Sequence, residues 1–595
     1  MLQWKWSSIT ACALSILLWS LSLSSIHPYE ATDTGLVSML PVIWWLALLL
    51  ALVGLAAEIQ RDPPRAAPCV LSLVALTLVL HGTLPATEVT PRFSAAYTIA
   101  AFSDQLAKTG SPLPLLDARM SWPALFSATG MAARAMGVDS RWFLRWAPLV
   151  LNLLYLLPLK VIANATLKSP RARWLALSVF LLGNWIDQDY FSPQAVDLLL
   201  YLAVIAILVR VFATRGRQPG VVRAVVAFRF VAAIADRLRR ILRLPKAAQP
   251  GEMPVPPRSI AELAFLYSIV LAIAFAIVAS HQFTPLAMCV VLFVLAMAGR
   301  TKLNLLWVIT SVLTVAWFSW LARTYWVGHL HAVFGGIGQV GGVVSGTVGT
   351  RLQNASAERL LVLDSRLAVP AVIVLSAALG FWWSWRRGRT QWTLAILAVA
   401  PVAVALLTNY GGEVSLRVIL FSLAPVSVLI ALLVDAGLTT RTSLAIFVVV
   451  IALTSAMFPL ARYGNESFEA MAPGDVAATD WIQGHVPTGS IILVVIDDLP
   501  MGESPSLSVD VAAGLAFAPT DKDRRVLTAT AKTDPNAWIL LTRSQDEYGT
   551  VVEGFPSDWL STLEKRLLAT GNVEVKYRSS SAVVMKVHVN TGSKT

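Results

Sequence analysis

Four short polar stretches of this sequence combine residue types that can do chemistry, and each lies at or just beyond the end of an apolar segment. These stretches are Thr87–Phe93, Asp187–Gln194, Ser280–Pro285 and Asn409–Glu413. Carboxylates and histidine can move protons, and arginine can bind phosphate through its two-pronged guanidinium. If all four stretches open to the same side of a membrane, they line one polar chamber. That is the layout of an enzyme or a transporter.

The second stretch contains two carboxylates separated by a single glutamine. Asp187 and Asp189 could bind a divalent cation through their oxygens, or they could cap the helix that follows them. Tyr190 lies directly beside them, and all three residues are candidates for binding a substrate. Asp197 falls one turn inside the next apolar segment, where a charged side chain is costly and normally faces a cavity.

The third and fourth stretches contain candidate binding residues. His281 and Gln282 lie in a hairpin between two apolar segments and could bind a substrate hydroxyl or phosphate, although a lone histidine is more often structural. Glu413 and Arg417 are one helical turn apart. Arg417 could bind phosphate, or the two residues could form a salt bridge. Tyr410 precedes a glycine pair, which would let the backbone approach a ligand closely.

The composition places these residues on a membrane scaffold. Of the 595 residues, 56% are hydrophobic and 14% are charged, whereas soluble domains carry about 25% charged residues. A membrane-spanning helix needs roughly 20 apolar residues, and we predict about thirteen such spans. They lie near residues 9–26, 37–57, 68–84, 146–165, 172–187, 194–213, 260–280, 284–299, 303–322, 367–385, 391–408, 417–434 and 443–460.

The charge pattern indicates an orientation in the cell membrane. Basic residues cluster in alternate loops between the spans, which predicts a cytoplasmic N-terminus and an extracytoplasmic C-terminal region. The four polar stretches then all lie outside. The net charge of +12 is explained by topology and by contact with anionic membrane lipids, so nucleic-acid binding is not indicated. The three cysteines all fall within apolar runs, so no disulfide framework is expected.

The sequence divides into four parts. We predict an N-terminal membrane module over 1–213 with a long outer loop over 85–145, a basic cytoplasmic loop over 214–259, a second membrane module over 260–460 with an outer loop over 323–366, and a small α/β domain over 461–595. The basic loop contains an amphipathic helix that should lie on the inner leaflet. Apolar runs in the last part predict strands over 490–496, 537–541, 573–577 and 582–589 and helices over 475–485 and 557–569.

The first long outer loop has a distinctive order of features. An acidic residue, Glu88, lies just beyond a span, and it precedes an aromatic and alanine-rich helix, a glycine, and the step Pro123–Phe126. This loop, like the whole architecture, resembles the integral-membrane glycosyltransferases of the GT-C superfamily. The stretches Asp187–Gln194 and Tyr410–Glu413 look like those of uncharacterised actinobacterial members. The resemblance implies a sugar donor linked to polyprenyl phosphate and a cell-envelope glycan or lipid as the acceptor.

The resemblance also implies that an acidic residue of this loop is the catalytic base. Glu88 would deprotonate the acceptor hydroxyl, with Arg92 one turn away as a substrate-binding residue or an ion-pair partner. The sequence departs from the family pattern, because Thr87-Glu88 replaces the usual acidic pair and two additional helices precede the loop. Glu30 and Asp33, in the first outer loop, are therefore rival candidates for the base.

Two other function classes fit parts of the sequence. A transporter or flippase of lipid-linked sugars should contain internal repeats and helices broken near the membrane midplane, and neither is clear here. A polymerase or ligase of surface polysaccharides would use a diphosphate-linked oligosaccharide donor. Its chemistry overlaps that of the transferase, so the sequence separates these two poorly.

Overall fold

A computed structural model describes residues 7–214, 237, 240, 252–327, 356–406, 414–502, 504–515, 525, 527 and 536–588 of the chain. Tyr410 and Glu413 lie outside the described residues, as do most of the predicted cytoplasmic loop over 214–259 and most of the outer loop over 323–366.

The part of the chain before the α/β domain is helical, and it includes both the apolar membrane helices and the shorter helices of the outer loops. The helices of the first half are α1 (Ser7–Ser22), α2 (Val42–Ile59), α3 (Ala66–His81), α4 (Thr83–Thr87), α5 (Ser94–Thr109), α6 (Ala124–Met136), α7 (Ala147–Thr166), α8 (Pro170–Gly183) and α9 (Pro193–Ile207). Those of the second half are α10 (Ile260–Ser280), α11 (Thr284–Met297), α12 (Leu306–Ala316), α13 (Arg323–Trp326), α14 (Ala357–Arg386), α15 (Trp392–Val399), α16 (Val414–Ala431), α17 (Arg441–Tyr463) and α18 (Glu466–Glu469).

The predicted spans are confirmed as helices, and the chain is a polytopic α-helical membrane protein. Each predicted span overlaps a helix, but α8, with 14 residues, is among neither the membrane-crossing helices nor the shorter apolar ones. Among the described residues, eight helices are long and apolar enough to cross a membrane, and four shorter apolar helices accompany them. The helix α14 begins at Ala357, well before the predicted span, so the end of the predicted outer loop is helical.

Local sequence signals explain several helix ends. The Ser192 side chain accepts a hydrogen bond from the Ala195 amide, and Pro193 occupies the first turn of α9. At the C-terminal end of α5, Gly110 terminates the helix in the left-handed conformation with φ +69°. Glycine adopts this conformation without steric cost. The predicted helix in the first long outer loop is therefore present where its spacing indicated.

A small α/β domain follows the last membrane helix. Its helices are α19 (Pro473–His485), α20 (Arg543–Val551) and α21 (Trp559–Ala569), and its strands are β1 (Ser490–Val494), β2 (Leu507–Val511), β3 (Ala537–Thr542), β4 (Val573–Arg578) and β5 (Ala582–Val587). The strand order is β2-β1-β3-β5-β4. β1 pairs in parallel with β2 and β3, and β5 pairs antiparallel with β3 and β4.

This domain packs against the outer loop of the first module. A Cβ on Gly502 would lie 2.1 Å from the Ala101 Cβ of α5, so the two backbones approach too closely for a larger residue. The Phe93 amide, just before α5, donates a hydrogen bond of 3.2 Å to the Glu469 carbonyl. The end of the helix bundle and the base of the α/β domain are thus joined around one polar region.

Candidate active site

Arg92 holds a group of buried carboxylates at this junction. Its Nη1 lies 3.2 Å from Asp187 Oδ1, and its Nη2 lies 2.6 Å from Glu466 Oε2 and 2.8 Å from Glu469 Oε2. Its Nε lies 3.9 Å from Glu88 Oε1. The outer loop, the loop before α9 and the short helix α18 therefore meet at one guanidinium.

A second buried arginine, Arg462, connects this group to the aspartate pair. Its Nη1 lies 3.3 Å from Asp187 Oδ1, and its Nη2 lies 3.1 Å from Asp189 Oδ1. The other oxygen of Asp189 accepts a hydrogen bond from Asn152 and lies 3.4 Å from His81 Nδ1. Burial opposes the charged form of Asp189, but the Arg462 guanidinium and His81 hold its pKa below the ordinary value.

The backbone is strained at two positions of this cluster. Phe93 has φ +66° and Asp187 has φ +61°, a region that residues with a Cβ rarely occupy. The Phe93 ring lies 4.2 Å from the Arg92 guanidinium and 5.2 Å from the Tyr190 ring. Strain of this kind persists only where the surrounding structure fixes it, and it is concentrated at functional sites.

Within the part of the chain that the structure describes, several buried polar atoms of the cluster lack a hydrogen-bond partner of acceptable geometry. They are Glu88 Oε1, Asp187 Oδ2, Glu466 Oε1, Arg92 Nε, Arg462 Nε and Asn184 Oδ1. A buried polar atom without a partner costs about 1–3 kcal/mol, and folded proteins normally satisfy such atoms with protein or solvent partners. The cluster therefore has unused capacity to bind a polar ligand.

Glu88 has the environment of a proton acceptor. Its side chain is 3% exposed. Burial raises its pKa well above the ordinary value, the neighbouring Glu466 carboxylate raises it further, and Arg92 and Arg145 oppose the shift. A carboxylate becomes a stronger base as its pKa approaches the working pH.

The rival bases lie in different surroundings. Glu30 is exposed, and Asp33 Oδ2 accepts a hydrogen bond of 2.5 Å from Ser356 Oγ, the residue that caps α14. These positions favour Glu88 as the base.

His281 and Arg417 belong to a second polar group, at the ends of α10 and α16. His281 Nδ1 accepts a hydrogen bond of 3.3 Å from the Thr284 amide and lies 3.0 Å from its hydroxyl, so the ring caps the next helix. Burial and the Arg417 charge lower the pKa of His281 well below its ordinary value. The Arg417 guanidinium lies 5.6 Å from the Phe283 ring. Gln282, which follows His281 in the sequence, is half-buried.

The two aspartates of the predicted divalent-cation site contact protein nitrogen atoms. Asp187 and Asp189 direct oxygens at arginine, asparagine and histidine nitrogens. Within the described part of the chain, no group of three or more histidine, cysteine, aspartate or glutamate side chains is arranged to hold a metal ion. The ion pairs give these two carboxylates a role that needs no cation.

The last membrane helix and its continuation contribute site residues that the sequence pattern did not single out. Arg462, Glu466 and Glu469 follow the predicted span and were assigned to the C-terminal domain without a role. Two acids one turn apart directly after an apolar segment are the same signal that marked the other four stretches. His81 and Asn152, by contrast, are single polar residues within or at the end of apolar runs and carry no such signal.

Comparison with known proteins adds little to this geometry. No protein-family model matches the sequence, and no curated protein matches it significantly. Among solved structures, the fold is similar to that of ArnT from Cupriavidus metallidurans bound to undecaprenyl phosphate, with a TM-score of 0.46 and 12% sequence identity. The similarity covers 89% of this chain and 99% of ArnT. At this TM-score it transfers neither an activity nor a site to this chain.

Proposed function

We propose that this protein is a membrane glycosyltransferase of the GT-C type, which moves a sugar from a polyprenyl-phosphate donor to an extracytoplasmic cell-envelope acceptor. The observation that carries the proposal is the buried cluster around Glu88 and Arg92. It combines a carboxylate of raised pKa, unsatisfied polar atoms and strained backbone at the end of a membrane helix bundle. The head group of a lipid-linked donor would lie at this depth.

In the proposed reaction, the acceptor hydroxyl attacks the anomeric carbon of the donor sugar while Glu88 takes the hydroxyl proton. The bond between the anomeric carbon and the phosphate oxygen breaks, and polyprenyl phosphate leaves with the electron pair. Arg92 and Arg462 act as positioning residues, because carboxylates already occupy their guanidinium groups. Arg417 is our candidate for binding the donor phosphate, since a guanidinium suits that geometry.

The remaining predicted site residues would define the walls of the binding chamber. Tyr190 and Phe93 form an aromatic surface beside the arginines, and His281 and Gln282 lie at the hairpin that leads into α11. Burial within such a chamber strengthens the electrostatic interactions that a departing phosphate needs.

The first test is sugar transfer by the purified protein in lipid vesicles, with a panel of radiolabelled polyprenyl-phosphate and polyprenyl-diphosphate sugars and cell-envelope extract as the acceptor. We expect label from a monophosphate donor to reach the acceptor with wild-type protein and not with a well-folded Glu88→Gln variant. Glu30→Gln and Asp33→Asn are the matched controls and should remain active.

Each alternative predicts a different result. Transfer only from diphosphate donors would identify a polymerase or ligase. Loss of activity in Glu30→Gln or Asp33→Asn, with Glu88→Gln active, would move the base to the first outer loop. Movement of a labelled donor between leaflets without transfer would identify a flippase and overturn the proposal.

A further inference from the structure

A cavity of about 390 Å³ opens at the end of the helix bundle opposite to the candidate active site. It is lined by Val161, Asn164, Arg173, Arg210 and Met253. Arg173 lies in the first turn of α8, whose other end leads into the active-site residue Asn184. Arg210 lies at the far end of the helical segment that begins just after Asp189.

The two arginines give this cavity an uncompensated positive charge. Arg173 donates hydrogen bonds to the backbone carbonyls of Leu167 at 3.0 Å and Lys168 at 3.4 Å, which leave its charge unneutralised. Within the described parts of the chain, no carboxylate lies within ion-pair distance of Arg173 or Arg210. The nearby Arg300, by contrast, pairs with Glu252 at 2.6 Å, and both of those side chains are buried. The cavity therefore favours an anion.

The surface beside the cavity is suited to an acyl chain. Val150, Leu157 and Val161 are exposed hydrophobic residues of α7. Their spacing of seven and four residues places them on one face of the helix, and Val161 also lines the cavity. An apolar stripe thus runs along the bundle from the place where the two guanidinium groups lie. An acyl chain of a lipid bound at the arginines could lie along this stripe.

We propose that this cavity binds the head group of an anionic glycerophospholipid, with the phosphate between Arg173 and Arg210 and an acyl chain along α7. Basic pockets between membrane helices commonly bind anionic head groups in this way. Arg210 lies in a widened helical segment, Leu208–Phe212, a local irregularity that is frequent at binding sites. The bound lipid would connect α7, α8 and the end of α9 to the segment that contains Met253. The positive-inside pattern predicts that this end faces the cytoplasmic leaflet.

The test is lipid retention by the full-length protein, measured by native mass spectrometry after reconstitution in nanodiscs of equal phosphatidylglycerol and phosphatidylcholine. Wild-type protein should retain phosphatidylglycerol preferentially, and the double variant Arg173→Gln/Arg210→Gln should weaken this retention by about thirtyfold. The matched control is Lys302→Gln/Arg441→Gln, which removes the same charge from exposed positions at the same end of the bundle. We expect the control to retain the lipid as wild type does.

A second variant tests the cavity without changing its charge. Asn164 also lines the cavity, so Asn164→Phe would fill part of it, and we expect this variant to reduce retention while both guanidinium groups remain. Equal loss in the control and the arginine variant would overturn the proposal in favour of general surface charge. Displacement of the lipid by excess inorganic phosphate would overturn the lipid assignment in favour of a soluble anion. Full retention in both Asn164→Phe and the arginine variant would overturn the site itself.

Discussion

Two buried glutamates, at opposite ends of the membrane helices, differ in how fully their oxygens are satisfied. Glu58 is 0% exposed and Glu88 is 3% exposed. Glu58 Oε1 accepts hydrogen bonds from the Arg65 amide at 2.8 Å and the Arg65 Nε at 3.0 Å, and its Oε2 accepts from Ser8 at 2.9 Å and Arg65 Nη2 at 2.8 Å. Among the described residues, Glu88 Oε1 has no hydrogen-bond partner of acceptable geometry.

The difference separates a structural carboxylate from a candidate functional one. The hydrogen bonds of Glu58 fasten α1 and the start of α3 to α2, so packing accounts for its burial. Arg92, which lies within ion-pair distance of Glu88, is shared with three other carboxylates, so Glu88 is less fully neutralised than Glu58. Burial of a charge is thus a weak indicator of function, and unsatisfied hydrogen-bonding capacity is a stronger one.

The largest expected difference between the two glutamates is in turnover. Glu88→Gln should lower the transfer rate by about 10²–10⁴-fold, because it removes the proton acceptor. Glu58→Gln should leave turnover per folded molecule nearly unchanged. The measurement is kcat for labelled sugar transfer, normalised to the monodisperse fraction of each variant. Comparable losses in both variants would show that the comparison does not separate function from structure.

The next largest expected difference is in the stability lost when the arginine partner of each glutamate is removed. Arg92→Ala leaves the buried Glu88 and Glu466 and the half-buried Glu469 without their ion pair, and it should lower the free energy of unfolding by about 3–5 kcal/mol. Arg65→Ala takes two side-chain hydrogen bonds from the buried Glu58 carboxylate, but Arg61 remains 3.4 Å from Glu58 Oε2, so this substitution should cost about 1–3 kcal/mol. Denaturant titration in detergent measures both. Arg92→Lys keeps the positive charge but not the two-pronged guanidinium, so it should recover only part of the stability lost in Arg92→Ala.

The glutamates themselves should have opposite effects on stability. Glu58→Gln should cost about 1–3 kcal/mol, because it leaves buried donors without their charged acceptor. Burial and Glu466 raise the pKa of Glu88, so its contribution to stability is full below the ordinary glutamate pKa and is lost as pH rises through the raised value. Glu88→Gln removes this dependence and should be neutral or stabilising at alkaline pH. Thermal midpoints across a pH series test the prediction, which a lower midpoint of Glu88→Gln at every pH would contradict.

The smallest expected effect is a shift in the pH profile of catalysis. Because the pKa of Glu88 is raised, the acid limb of kcat/KM should lie above the ordinary pKa of glutamate. Glu466→Gln removes a neighbouring negative charge and should move this limb to lower pH. Glu58→Gln, at the other end of the bundle, is the control and should leave the limb in place. An unmoved limb in Glu466→Gln would show that another group controls the profile.

The sequence predicted the helices well, because long apolar runs have few structural options in a membrane. It also selected Glu88, Arg92, Asp187 and Asp189, which the structure brings together through two arginines. In the C-terminal domain the sequence pattern did not predict β2 (Leu507–Val511). Leu507 is buried, and the other four residues of this strand are exposed. An edge strand that is mostly exposed needs no continuous apolar run, so the hydrophobic pattern carries little information there.

The sequence by itself determined where the spans lie and that charged residues gather at their ends, since both follow from the cost of placing polar groups in hydrocarbon. Glu58 and Glu88 are alike at that level, as acids at the ends of apolar helices. Only the tertiary structure decided that Glu58 meets the nearby Arg65, whereas Glu88 shares Arg92 with residues such as Glu466, far away in the sequence. The hydrogen-bond partners of a buried group come from whichever segments pack against it, and local sequence does not contain that information.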